Sequence, residues 1–141
     1  MSKRVYDYIE VEVPLLGMRV VVFLSSYSKL KNWAEEKFGV KLEDLEPDQE
    51  EADGLTIDLN DYGMDGYVIV TLKDIKKKLR SWKSFSRGVG VIVHECLHAT
   101  KAVLMSRGVP FTPENDEIIA YTQEHLVESM LSALTKGRAV K

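Results

Sequence analysis

Nineteen residues from Gly88 to Ser106, GVGVIVHECLHATKAVLMS, are apolar on nearly every side of a helix drawn through them. Val91, Ile92, Val93, Cys96, Leu97, Ala99, Ala102 and Val103 leave no wide polar face, so the segment predicts a central helix covered by other elements. Into this apolar length the chain sets His94, Glu95 and His98. Burying such groups without a shared partner is costly. A fold for this chain must therefore enclose the helix and also give those three side chains something to bind.

The remaining segments predict what encloses it. Residues 5–13 (VYDYIEVEV) and 18–24 (MRVVVFL) are rich in β-branched and aromatic residues, with turn chemistry at Pro14–Gly17, and read as a hairpin. Residues 55–59 (LTIDL) and 67–72 (YVIVTL) read as two more strands joined by NDYGMDG. Leu30, Trp33, Ala34 and Phe38 recur at helical spacing between Ser28 and Phe38, and Gly39 is a stop signal. A second long helix is expected over Pro113–Thr135, with Thr112 as N-cap and Pro113 at its first position. The seven acidic residues between Glu43 and Asp53, around Pro47, read as a solvated linker. Calcium binding is the lesser alternative there, because the spacing lacks the Asp-x-Asp-x-Asp-Gly loop. Strands first and paired helices last predict an α+β chain, one domain over 1–141, with a small antiparallel or mixed sheet packed on two long C-terminal helices.

Composition narrows the function classes. With 45% hydrophobic residues in 141, there is enough apolar surface for a core. A net charge of -3 and a pI near 5.6 argue against a general nucleic-acid binder. Polar residues interrupt any signal-peptide core near the N-terminus, and the strongly apolar stretches fall short of the roughly 20 residues that span a bilayer. The expectation is a soluble cytoplasmic protein without a membrane partner. The single cysteine, Cys96, makes no internal disulfide and agrees with a reducing compartment.

His94 and His98 stand four apart, just over one helical turn, so both imidazoles leave the same face and can hold one metal ion. Glu95 lies about 100° round the helix, placed to hold a water on that ion as a general base. Cys96 is about 200° from His94 and reads as packed core rather than a thiolate ligand. A catalytic Zn²⁺ takes three protein ligands and leaves one position open. Glu114, Asp116 and Glu117 are the carboxylates that the second helix offers.

HExxH, then 18 residues from 99 to 116, then Asp-Glu-Ile-Ile-Ala resembles the gluzincin pattern, in which aminopeptidases carry Asn-Glu-Gly-Phe-Ala. That resemblance places Glu117 on the ligand glutamate and implies a minimal zincin-like domain with an active-site helix and a third-ligand helix. Glu124 falls where the pattern often has a further glutamate. Seven residues of helix bring it within about 20° of Glu117, where it can accept the free ring N–H of a bound histidine; the alternative is a solvated charge. Tyr121, one turn beyond Glu117, either hydrogen-bonds near the metal or packs in the core. His125 either stabilises an oxyanion or is structural. HECLHA followed by EN-DE-xx-AY also resembles small metallopeptidase-like proteins of phage and prophage genomes, over roughly residues 52–132; a phage origin would make the compartment the host cytoplasm. The large substrate domains and catalytic tyrosine of the aminopeptidases have no counterpart here, so exopeptidase specificity does not carry over.

The implied chemistry is zinc-dependent hydrolysis of a protein or peptide substrate, with water activated by the ion and deprotonated by Glu95. An extended substrate would add to an exposed strand edge, for which residues 67–71 are the candidate if that strand is not paired on both sides. Two rival readings remain. The repressor-cleaving ImmA-type family also joins HExxH to a downstream glutamate. A non-catalytic, metal-stabilised module could instead use Lys73, Lys76, Lys77, Lys78, Arg80, Lys83 and Arg87, with Trp82 and Phe85, on nucleic acid, although such a run is usually a solvated face.

Overall fold

The computed structural model describes residues 6–42 and 53–136. The acidic linker expected over 43–53 therefore lies outside the described residues except for Asp53. Four strands form one mixed sheet: β1 (Tyr8–Val13), β2 (Met18–Phe23), β3 (Gly54–Asp58) and β4 (Tyr67–Leu72), in the order β1-β2-β4-β3. The hairpin β1–β2 turns through Pro14–Leu16 and closes at Gly17, whose φ of 60° is the left-handed conformation that suits glycine. Strand β4 runs parallel to β2, and β3 returns antiparallel to β4.

This order corrects one expectation. Residues 67–71 are paired on both sides, to β2 and to β3, so they cannot receive another strand. Among the described residues, strand β3 pairs only with β4 and is the open edge on that side of the sheet.

Both faces of the sheet are buried, which explains why its central strands read as continuous runs of Val, Ile and Phe. On one face Val21, Phe23, Ile57 and Ile69 pack against Leu30 and Trp33 of helix α1 (Leu30–Phe38). Rings gather there: the Phe23 and Trp33 centroids are 4.6 Å apart, and Trp33 meets Phe38 edge-on at 5.6 Å. On the other face Val20, Val22, Val68 and Val70 pack against the two C-terminal helices, α3 (Trp82–Ser106) and α4 (Asp116–Thr135).

Helix α3 begins six residues before Gly88, where the apolar run had placed its start. Ser81 is its cap, the hydroxyl accepting from the Lys83 N–H at 3.3 Å, and Gly88 and Gly90 lie inside the helix. Gly88 is where the chain just before α3 seats against it: a Cβ there would stand 3.0 Å from Leu79 Cδ2, beyond the short helix α2 (Ile75–Lys78). Length and composition alone would let α3 cross a membrane. Here its Ile92, Cys96, Ala99 and Val103 stripe is packed in the core.

Helix α4 begins later than expected. Pro113–Asn115 form a 3₁₀ turn, Thr112 makes no side-chain cap, and the α-helical residues start at Asp116. Cys96 Sγ touches Met130 Sδ at 3.5 Å between the two helices. His125 is exposed and contacts the Glu12 carbonyl through Nε2 at 2.7 Å, a tie from α4 to β1 that gives it a structural place. Arg107 ties the end of α3 to the hairpin turn through the Leu16 carbonyl at 2.7 Å and pairs with Asp65 at 2.8 Å.

Candidate metal centre

The four-residue spacing does on α3 what helix geometry requires. His94 and His98 project together from its exposed side, with Nε2 atoms 3.3 Å apart and ring centroids 4.9 Å apart. Two nitrogens bound at 2.0–2.1 Å to a tetrahedral ion stand about 3.3–3.4 Å from each other. One proton shared between the rings would fit the same separation. A carboxylate joins the pair: ligand atoms of His94, Glu95 and His98 all lie within 4.8 Å of one another, the group of three such side chains among the described residues that could hold a metal ion.

Glu95 is held differently from its neighbours. It is 4% exposed, pressed between α3 and the open-edge strand β3. Gly54 is the reason it fits, because a Cβ on that residue would stand 2.6 Å from Glu95 Cγ and 3.0 Å from Cδ. Thr56, two residues on and on the same strand face, has its hydroxyl 3.4 Å from Glu95 Oε2 and 3.4 Å from the Glu95 carbonyl. Burial pushes the Glu95 carboxyl above the usual carboxylate range, against a smaller downward pull from His98, His94 and the Thr56 hydroxyl. A carboxylate with a raised proton affinity is suited to taking a proton and giving it back.

Strand β3 runs beside α3 in the same direction. Asp53 meets Arg87, Gly54 and Thr56 meet Glu95, and Asp58 meets Ser106 at 3.3 Å. Between the two elements lies an open cleft with the His94–Glu95 pair at its middle. One half, about 530 Å³, reaches Arg87 and Gly90; the other, about 580 Å³, reaches Asp61, Lys101 and Met105. A separate hollow of about 310 Å³ at the ends of β2 and β4 is lined mainly by Ser25, Ser26, Ser28 and their neighbours, with Lys73 and Asp74 its ionisable groups.

The second helix is less complete as a partner. Glu117 is exposed in the first turn of α4, and its carboxylate is not among the atoms gathered within 4.8 Å. A helix beginning at Pro113 would have set Glu117 just over one turn inside; the 3₁₀ turn before Asp116 corrects this. Glu114 is committed elsewhere: its own backbone N–H and the Thr112 hydroxyl hold its carboxyl below the usual range. Glu124 is exposed and borders a groove with Val93, the neighbour of His94. Tyr121 is 67% exposed, so the core alternative for it fails. Cys96 is buried with its thiol pushed up to about 12 by burial and by Glu95, in keeping with a packing role.

Three residues in this neighbourhood had no place in the expected site: Gly54, Thr56 and Arg87. The signal for the first two was present in the alternation of β3, whose α3-facing positions are Gly54, Thr56 and Asp58 in a sheet otherwise lined with valine. Of the basic run, Lys76 pairs with Asp7 at 2.6 Å, and Lys78 and Arg87 both pair with Asp53, at 2.9 and 2.6 Å. These aspartates offset part of the positive field that a nucleic-acid surface needs. Comparison with protein-family models, with curated proteins and with solved structures gives no match.

Proposed function

We propose that this chain is a zinc metallopeptidase of minimal zincin-like build, hydrolysing a protein or peptide substrate. The observation that carries the reading is the His94–His98 Nε2 separation of 3.3 Å, with the Glu95 carboxylate in the same group. The two imidazoles are donors that suit Zn²⁺, and Glu95 stands beside them where it would meet a water on the ion. When bound, the ion lowers the pKa of water from 15.7 towards about 7 and polarises the peptide carbonyl.

The chain's own residues do the rest. His94 and His98 hold the ion through Nε2. Glu95 accepts a proton from the attacking water; the water oxygen joins the carbonyl carbon, the C–N bond breaks, and Glu95 returns the proton to the leaving amine nitrogen. Gly54 and Thr56 hold the Glu95 carboxyl over the cleft. The open edge of β3 offers backbone N–H and C=O groups to an extended substrate, in place of the doubly paired β4. Glu117 is the third ligand in this reading, supported by its interval from His98; its carboxylate lies outside the group gathered within 4.8 Å and would have to move towards the imidazoles to bind.

Two measurements test this together. Protein purified without chelator should carry about one Zn²⁺ per chain, and Glu95→Gln should keep that metal while lowering turnover by about 10²–10⁴. Metal-free protein whose melting temperature is indifferent to added zinc would end the proposal.

A further inference from the structure

Deepening that peptidase reading and resting on it, we infer that Arg87, with Gly90 and the edge of β3, forms a carboxylate-binding subsite that selects the substrate two or three residues beyond the bond cut. Three observations converge. Arg87 lies seven residues before His94, two turns along the same face of α3, and lines the half of the cleft that ends at Glu95. Its side chain is 68% exposed, and Asp53 engages it through Nη2; a guanidinium carries five N–H donors, so most remain for a ligand. Gly90, between Arg87 and His94, has nothing within 4 Å of where a Cβ would stand, so the floor between arginine and metal centre is bare backbone.

Charge agrees with this. Asp53 carries one negative charge against the two positive charges of Arg87 and of Lys78 behind it, so these three described residues sum to one positive charge, with Glu95 common to both halves of the cleft. The opposite end holds Asp58 and Asp61 against Lys101, formally negative by one, beside Met105 at 56% exposure. Because β3 runs with α3 from Arg87 towards Ser106, a peptide added antiparallel to β3 enters at the acidic end and leaves at Arg87. Its amino end then faces Asp58 and Asp61, and its carboxyl end faces the guanidinium. Seven helical residues span about 10 Å, which an extended chain covers in about three residues. The ligand group is a carboxylate, supplied either by an Asp or Glu side chain or by the peptide's own C-terminus.

The experiment has an arm that needs no turnover. ¹⁵N-labelled protein is titrated with N-acetyl-tetra-alanine as the free acid and as the C-terminal amide. Shifts at Gly54, Gly90 and the Arg87 side chain are expected with the acid, at an affinity about three- to tenfold above the amide, and the difference should vanish in Arg87→Gln and partly return in Arg87→Lys. Equal shifts with acid and amide, or a preference that survives Arg87→Gln, overturn the subsite whatever the protein's activity. In the second arm, zinc-loaded protein is given a mixed peptide library and its cuts are read by mass spectrometry. Cuts clustered two or three residues before a C-terminus identify the terminal carboxylate as the source, and cuts inside chains before Asp or Glu identify the side chain. Cleavage without either bias refutes the subsite and leaves the peptidase reading standing. Acid-selective binding without cleavage supports the subsite and counts against the peptidase.

Discussion

Gly54→Ala is the sharpest way to ask whether β3 presses on Glu95 as described. The backbone at Gly54 needs no left-handed φ, so the substitution acts through contact alone. The added methyl would meet Glu95 Cγ at 2.6 Å, Glu95 Cδ at 3.0 Å and the Thr71 carbonyl at 3.1 Å. The carbonyl belongs to β4 and cannot retreat without bending the sheet, so the carboxyl must give way. Overpacking of this kind costs about 1–3 kcal/mol, which for a chain of this length lowers the melting temperature by roughly 3–12 °C. Displacing the carboxyl by about an ångström should also lower turnover, on the order of a hundredfold, while His94 and His98 keep their zinc. Gly90→Ala is the matched control for stability: that site lies mid-helix in open space and should gain about 0.5–1 kcal/mol. Thermal melts and metal analysis of both variants decide the matter. If Gly54→Ala melts and turns over like the parent chain, β3 does not hold Glu95 and the proposed seat is wrong.

Zinc content of Glu114→Gln, Asp116→Asn and Glu117→Gln should single out the last as the variant that loses most of its metal; tight zinc in Glu117→Gln would transfer the third position to another donor. Hydrogen bonds from Lys78 and then Arg87 lower the Asp53 pKa from its ordinary 3.8. The stabilisation this brings is complete well above pH 3.8 and disappears as pH falls through the folded value, so acid titrations of the parent and Asp53→Asn should converge at low pH and diverge above it. Parallel curves would show that Asp53 gains nothing on folding. With its thiol near 12 and buried, Cys96 should resist iodoacetamide at pH 8 until the chain is unfolded; rapid labelling of native protein would contradict the Cys96–Met130 packing.

The sheet was readable because β-branched runs leave few alternatives: all four strands fall within three residues of where composition puts them. Spacing likewise places His94 and His98 together, since a four-residue interval on a helix admits one geometry. What misled were helix starts. The apolar run set the helix start at Gly88, but Gly88 lies inside the helix making room for Leu79, and Ser81 supplies the cap. Thr112 and Pro113 fit a helix start by type, yet they begin a 3₁₀ turn, which moves Glu117 into the first turn of α4. The pairing order lay beyond local reasoning, because whether β3 or β4 is the open edge depends on contacts between segments far apart in sequence. Arg87 was hidden for a related reason: within a basic run nothing marks the one residue that faces a cleft.

Strand β3 carries two unlike duties on its opposite sides. Ile57 is buried among the aromatic residues on the α1 face, whereas Gly54 and Thr56 face Glu95 across the cleft. The attachment of the strand to the sheet thus draws on one set of side chains and its hold on Glu95 on another. A change at the exposed cleft residues can therefore leave the seat of Glu95 on Gly54 and Thr56 untouched, while Ile57 keeps the strand in register.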